Sequence, residues 1–321
     1  MRLFGEADYK FIEKRRTAYT VSAIVIAVGI AAMLFNVFDP DLRNWQRYGV
    51  DFTGGTLVQV ELDVEGVTTA RVRDALGGVS GPEVQRFAEG NDFVIRAPLD
   101  ANADVETTRQ TIENQLAEAF GEESVAIVLT ELVGPRIGEE LQQKAALAIL
   151  FSFVLTLIYL AIRFEFRFGV AAVIATLHDI LITLGFLALF RVEIALPTVA
   201  AILTIVGYSL NDTIVVFDRI RENFGKKGAR KEEQIALINR SINETLPRTV
   251  LTSVTTLVVL IALLLVGPAL IRDFAVVLIL GVLIGTYSSI FVASPALVEI
   301  RQRFGEGKRA DRKRSPEPAG V

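Results

Sequence analysis

The sequence predicts a polytopic α-helical membrane protein: six transmembrane helices, with one small ferredoxin-like α+β domain of βαββαβ order between the first and second. Three observations carry that prediction. Hydrophobic residues make up 51% of the 321 and mean hydropathy is +0.44, too apolar for an ordinary soluble protein. The apolar residues fall in blocks of the ~20 residues that a helix needs to cross a bilayer. Between the first and second blocks, residues 39–138 hold no such run, and there Asp and Glu outnumber Lys and Arg about two to one. Composition also excludes some chemistry. The chain has no cysteine, hence no disulfide or thiol reaction, and its one histidine, His178, rules out a multi-histidine metal site.

Residues 1–16 end in Lys14-Arg15-Arg16 and precede the apolar block 17–38. That order resembles a signal peptide, but a block of about 20 residues exceeds the usual h-region, so it reads as an uncleaved first span with its basic flank in the cytoplasm. In the outer domain, residues 56–62 alternate as a strand and 68–76 form a short helix. The strands 84–87 and 93–96 flank the hairpin signal Glu89-Gly90-Asn91. Val105, Thr108, Ile112, Leu116 and Phe120 fall at helical spacing, and 124–133 is rich in β-branched residues. The scattered acids of this domain read as a solvated surface. Asp51-Phe52-Thr53-Gly54-Gly55-Thr56 reads as a tight turn feeding the first strand, because paired glycines accept backbone angles other residues resist. It lacks the Gly-Lys-Ser/Thr ending of a phosphate loop. Val133-Gly134-Pro135-Arg136-Ile137-Gly138 breaks the last strand and restarts a helix into the membrane.

Residues 139–300 hold spans two to six. The second, 145–162, ends at the basic turn Arg163-Phe164-Glu165-Phe166-Arg167, suited to the cytoplasm. The third, 168–190, carries His178 and Asp179 near its centre, with Thr176, Asp179 and Thr183 on one stripe that must face other helices or water. His178 suits proton relay because its ordinary pKa is near neutral. The alternative is a hydrogen bond to a neighbouring helix. After an outer turn at 191–195, the fourth span carries Asp212, roughly 10 Å inside the surface marked by Asp218, Arg219 and Arg221. An acid at that depth costs about 2.5–3.5 kcal/mol, and is kept for proton or ion handling, for an ion pair, or as a packing hydrogen bond.

The mixed-charge residues 219–247 read as a cytoplasmic loop with short surface helices. The fifth span starts near Leu246 with Arg248 just inside, followed by Thr249, Thr252, Ser253, Thr255 and Thr256. Neighbouring antiparallel spans would let Arg248, with a reach of about 6 Å, meet Asp212; snorkelling to the headgroups is the alternative. The sixth span, 274–296, presents Gly281, Gly285 and Ser289 as a small-residue seam. Residues 301–321 form a basic cytoplasmic tail attractive to anionic membrane lipid or ribosomal partners.

The string Gly207-Tyr208-Ser209-Leu210-Asn211-Asp212-Thr213-Ile214-Val215-Val216-Phe217-Asp218-Arg219-Ile220-Arg221-Glu222-Asn223 resembles the signature of the SecD/SecF family of protein-export membrane subunits. The motifs around Gly54-Gly55 and Gly134-Pro135, and the His178-Asp179 pair, resemble family elements at the same places. Members of that family resemble halves of the resistance-nodulation-division transporters, two six-span repeats with protons passing between them.

The resemblance implies an auxiliary subunit of the Sec pathway in the cytoplasmic (inner) membrane, with both termini in the cytoplasm. With SecD it would use the proton gradient to promote preprotein export. The partners it implies are SecD, the SecYEG translocon, unfolded preprotein and membrane lipid, with no nucleic acid. Protons are the coupling ion; no cofactor, metal or enzymatic activity is expected. The proton relay would comprise Asp212, Arg248, Asp179 and His178, with Asn211, Thr213, Ser209 and Thr252 as supporting polar groups and Gly54, Gly55, Gly134, Pro135, Gly281 and Gly285 as structural positions. The runner-up is a small-molecule or lipid exporter of the same superfamily, against which the single small outer domain argues. A paired-aspartate intramembrane protease could use Asp179 and Asp212, but its Gly-x-Gly-Asp pattern is missing from the sequence.

Overall fold

The computed structural model describes residues 8–39, 44–64, 66–79, 81–87, 91–98, 105–163, 165–226, 233–267 and 271–304. Among them, six helical stretches are long and apolar enough to cross a membrane. The first is α1 (Arg15–Phe38). A single helical turn, α2 (Val50–Thr53), then leads through Gly54, at φ +78°, into the outer domain. That domain runs β1 (Gly55–Leu62), α3 (Thr69–Ala75), β2 (Glu83–Phe87), β3 (Asp92–Pro98), α4 (Val105–Phe120) and β4 (Val125–Val133). The sheet order is β2-β3-β1-β4, antiparallel throughout, which is the split βαβ arrangement expected from the strand and helix pattern. Its core is built as the spacing dictates: Ile112 and Leu116 from α4 and Val72 from α3 lie fully buried against Val58, Val60 and Leu62 of β1. Thr68 caps α3, its Oγ1 accepting from the Arg71 amide at 3.3 Å. Residues 88–90, the hairpin tip, lie outside the described residues, but β2 and β3 pair on either side of it.

The chain returns through α5 (Pro135–Arg163), α6 (Phe166–Phe190), α7 (Leu196–Gly225) and α8 (Gln234–Val266). The sixth crossing is α9 (Arg272–Ser288), one π-helical turn (Ser289–Ala293) and α10 (Ser294–Phe304). Most of the basic tail, residues 305–321, lies outside the described residues.

The segment read from sequence as a cytoplasmic loop with short surface helices, 219–247, is instead formed largely by extensions of two long helices. α7 runs on to Gly225 and α8 begins at Gln234, passing through Pro247. The reason is cross-bonding between the two extensions: Asn223 Nδ2 donates to Ser241 Oγ at 2.9 Å and to Glu244 Oε2 at 2.8 Å, and Arg219 Nε donates to Glu244 at 2.6 Å. Arg219 and Glu244 therefore help to hold the two helix extensions together. The chain start is bonded to the α8 extension, with the Tyr9 and Ile12 amides donating to Asn243 and Asn239, each at 3.0 Å.

At two crossings the helices approach so closely that an added Cβ would force its neighbour to shift. A Cβ on Gly29 of α1 would sit 2.7 Å from the Cα of Gly185 on α6. On α9, a Cβ on Gly281 would overlap Ile205 of α7, and one on Gly285 would sit 3.0 Å from Ser209 Cβ. The small-residue seam thus packs on α7, the helix that carries Asp212.

Candidate functional site

Two carboxylates lie buried inside the helix bundle, each ringed by hydroxyls from other helices. Asp179, on α6, is 1% exposed. Its Oδ2 accepts hydrogen bonds from Ser209 Oγ of α7 and from Ser288 Oγ of α9, the latter at 2.8 Å, while its Oδ1 lies 2.8 Å from Nδ1 of the neighbouring His178. Asp212, on α7, accepts from Thr249 Oγ1 of α8 at 2.7 Å on Oδ1 and from Ser289 Oγ at 2.5 Å on Oδ2. A buried carboxyl without partners would be prohibitive in an apolar span; these donors compensate it in part.

The two centres share a frame. Ser209 and Asp212 lie one turn apart on α7, and Ser288 and Ser289 are consecutive, yet each member of either pair serves a different centre. Ser289 also opens the π-helical turn, a local irregularity that is frequent at functional sites. Thr286 of α9 lies 2.7 Å from Ser253 of α8, which accepts from Tyr208 at 3.3 Å and so extends the polar seam.

Of the relay residues expected from sequence, Asp179 and His178 meet, and Asp212 sits beside them on the next helix. Arg248 does not meet Asp212. It is exposed, and no ion pair within 4 Å joins the two; its chain neighbour Thr249 occupies that place. Among the supporting residues, Ser209 bonds Asp179 rather than Asp212. Thr213 is buried with its hydroxyl unpartnered among the described residues, Asn211 is exposed, and exposed Thr252 donates to the Arg248 carbonyl at 2.9 Å. Ser288, Ser22 and Tyr287 escaped sequence reasoning, and Thr249 and Ser289 read there only as polar and small residues of their spans, not as partners of a carboxylate. A hydroxyl in an apolar helix ordinarily bonds its own preceding turn, so its presence carries no signal.

The outer end of α7 is held by the Gly54-Gly55 motif. Asp51 Oδ2 accepts the backbone N–H of Leu196, first residue of α7, at 2.8 Å, satisfying a donor that has no partner within the helix. Phe52 enters the apolar cluster of Ile202, Ile205 and Val282. The second connector closes on the first: a Cβ on Gly138 would lie 2.8 Å from the Phe52 carbonyl and 3.0 Å from the Gly54 amide. Just before the motif, Gly49 N donates to Ile194 O at 2.9 Å and Ile194 N to Arg47 O at 2.8 Å, joining the linker to the turn between α6 and α7.

Beneath that bridge, buried Glu193 faces Arg96 of β3, with Arg96 Nε 3.4 Å from Glu193 Oε1, and Arg47, 3.9 Å from Oε2. Arg47 also pairs with Glu83 of β2. Neither Glu193 Oε1 nor Arg96 Nη1 completes a hydrogen bond among the described residues. Burial therefore pushes the Glu193 carboxyl above the usual carboxylate range, against the pull of Arg96 and Arg47 and with a further push from Asp273 and Asp51. The sign follows: the docked state holds this proton more tightly than an undocked, solvated one. Docking is favoured as pH falls through the raised value, and that contribution is lost as pH rises through it. The protection of the Gly49 and Ile194 amides, taken as exchange corrected for its intrinsic pH dependence, should accordingly rise at acid pH, and Glu193→Gln should remove that rise. Equal pH dependence in wild type and variant would show that another group controls docking.

The description "Protein export membrane protein SecD/SecF, C-terminal" matches residues 112–303, and "SecD/SecF GG Motif" matches 47–64. The protein translocase subunit SecF of Gemmatimonas aurantiaca is 43% identical over 95% of this chain and 90% of its own, and that of Vibrio alginolyticus is 41% identical over 93% and 91%. The chain belongs to the SecD/SecF family. The crystal structure of SecDF, a translocon-associated membrane protein from Thermus thermophilus, superimposes with a TM-score of 0.78 at 35% identity. The match covers 94% of this chain but only 40% of the SecDF chain. The SecD/SecF signature is thus the stretch that carries Ser209 to one carboxylate centre and Asp212 to the other, and the family's GG motif is the piece that binds the outer end of the same helix.

Proposed function

We propose that the chain is an auxiliary, non-enzymatic subunit of the Sec translocation machinery that, with SecD, uses the proton gradient to promote preprotein export across the cytoplasmic membrane. The observation that carries this reading is the position of Asp212: buried in the bundle, on a helix whose outer end is bound by Asp51 of the outer-domain connector. A charge change at Asp212 acts on α7, and any shift of α7 reaches the outer domain through that bond and the Gly138 contact. One charge crossing the full potential supplies about 2.3 kcal/mol per 100 mV, more than a tenfold bias between two arrangements. The relay comprises Asp212, Asp179 and His178, with Arg248 on the exposed side of α8 acting on Asp212 through its charge rather than by contact. Protons are the coupling ion, and no further cofactor is invoked.

The partner supplying the second repeat is SecD, and two exposed stripes support it. Thr204, Gly207 and Asn211 line one side of α7, and Arg248, Thr252 and Thr255 one side of α8. Asn211 opens with Thr156 and Tyr159 of α5 onto a groove of about 370 Å³. Such groups are costly against lipid and ordinary against another helix. A Cβ at Gly207 would meet nothing within 4 Å, so Gly207→Leu should fold normally while losing copurification of the SecD-like partner. Full copurification would place this face against lipid.

SecYEG receives the complex, unfolded preprotein is its substrate, and anionic lipid meets the basic tail. The basic groups Lys14, Arg15, Arg16, Arg163 and Arg167 support cytoplasmic termini. Inverted membrane vesicles depleted of the chain test the whole reading. Resupplying the chain together with SecD should restore stimulation of preprotein export by the proton gradient; restoration by SecD alone would overturn it.

A further inference from the structure

The ring of His178 is bonded at both nitrogens. Nδ1 lies 2.8 Å from Asp179 Oδ1, and Nε2 lies 2.9 Å from Ser22 Oγ on α1. Ser22 Oγ lies 3.3 Å from the Tyr287 hydroxyl on α9, which donates to the backbone carbonyl of Ala18 at 3.0 Å. The Tyr287 ring stacks on the imidazole, centroids 6.1 Å apart and planes 24° from parallel. Asp179 from α6 and Tyr287 from α9 are the titratable side chains in these contacts, and α1 contributes Ser22.

A carbonyl accepts and never donates, so the far end of this chain fixes its direction. With the Tyr287 hydrogen given to Ala18, the Ser22–Tyr287 contact requires Ser22 to donate. With the Ser22 hydrogen given to Tyr287, the contact to His178 requires a hydrogen on Nε2. At the other side of the ring, Asp179 Oδ2 already receives Ser209 and Ser288, and the Nδ1–Oδ1 contact needs one hydrogen of its own. That hydrogen sits on Nδ1, giving imidazolium and carboxylate, or on Oδ1, giving neutral imidazole and carboxylic acid. In either arrangement the pair carries one proton more than a carboxylate beside a neutral ring.

We propose that His178 and Asp179 form a proton-loading site separate from Asp212, held in its loaded form by the one-way chain of Ser22, Tyr287 and the Ala18 carbonyl. Ser22 and Tyr287 are positioning residues: they select a protonated Nε2. Unloading takes one proton from the pair to water. The ring keeps its hydrogen on Nδ1, facing the carboxylate, and Nε2 becomes an acceptor. The Ser22 hydroxyl turns to donate to Nε2 and releases Tyr287. Span one therefore senses whether span three is loaded.

The inference deepens the proton-relay reading, yet its test does not depend on export. His178 is the only histidine, so ring-¹⁵N-labelled histidine in the full-length protein, purified through a tag free of histidine, gives signals from this ring alone. At neutral pH the wild type should show Nε2 protonated. Tyr287→Phe keeps the stacked ring and removes the acceptor for Ser22, which then donates to Nε2, so the Nε2 signal should move to the unprotonated position. Ser22→Ala should do the same, and Ser22→Thr should restore the wild-type spectrum. An unprotonated Nε2 in the wild type would overturn the loaded site, with no variant needed. A protonated Nε2 that persists in Tyr287→Phe would overturn the positioning role. Either failure would leave the reading of Asp212 standing, because that reading is judged by gradient-dependent export.

Discussion

Asp212→Asn should leave the bundle assembled and abolish the part of preprotein export that responds to the proton gradient. Asparagine has nearly the shape of aspartate, and its Oδ1 can still accept from Thr249. Its Nδ2 needs an acceptor, which Ser289 Oγ becomes by keeping its hydrogen on the Thr286 carbonyl, 3.0 Å away. The cost is a rearranged hydrogen bond of about 1 kcal/mol, too small to unfold the bundle. What the amide cannot do is exchange a proton, so the more than tenfold bias available from one charge moving through about 100 mV is lost. The measurement is the ratio of export rates with and without a gradient in membrane vesicles, which should fall close to one. A wild-type ratio would make Asp212 a packing residue.

Asp212 was legible because a carboxylate in an apolar run violates the simplest rule of membrane helices, and the outer domain was legible because its strands alternate and its helices repeat as solitary amphipathic elements do. The surroundings of the carboxylate were not. Depth along a helix can be counted from sequence, but azimuth needs the neighbouring helix. Arg248 and Thr249 share a depth and differ by about 100° around α8. That rotation puts the threonine on Asp212 and the arginine on the exposed face. The π-helical turn was hidden for a similar reason, since Ser289 falls in register with Gly281 and Gly285 and reads as one more small residue of the seam. The helix extensions within 219–247 were missed because a mixed-charge stretch reads as a loop until the partner helix is placed, as Arg219 and Glu244 show. The His178-Asp179 pair could be seen as neighbours in sequence. Their hydroxyl partners come from residues as distant as Ser22 and Ser288, and nothing local announces them.

Gly285→Leu should cause the largest loss of folded protein among single substitutions in the seam. At this crossing a Cβ alone would approach Ser209 Cβ to 3.0 Å and its Cα to 3.2 Å, so the leucine branch has backbone in its path rather than a side chain that can swing away. Relief requires α7 and α9 to separate, but they are tied by the hydroxyls that serve both carboxylates: Ser209 from α7 to Asp179, and Ser289 after α9 to Asp212. Overpacking of this kind costs about 1–3 kcal/mol. Each buried carboxyl that loses a donor adds about 1–3 kcal/mol more. The sum is a large share of the ~5–15 kcal/mol that holds an ordinary domain folded. Detergent-extracted Gly285→Leu should give little monodisperse protein and a melting temperature many degrees lower, while Gly285→Ala, which adds only the Cβ, should lose a small fraction of that. Gly207→Leu, one helix away with open space around its Cβ, controls for the effect of adding a leucine to a membrane helix. Wild-type yield and melting for Gly285→Leu would mean that α7 and α9 can part without disturbing either carboxylate, and the shared frame assigned to the two centres would fall with it.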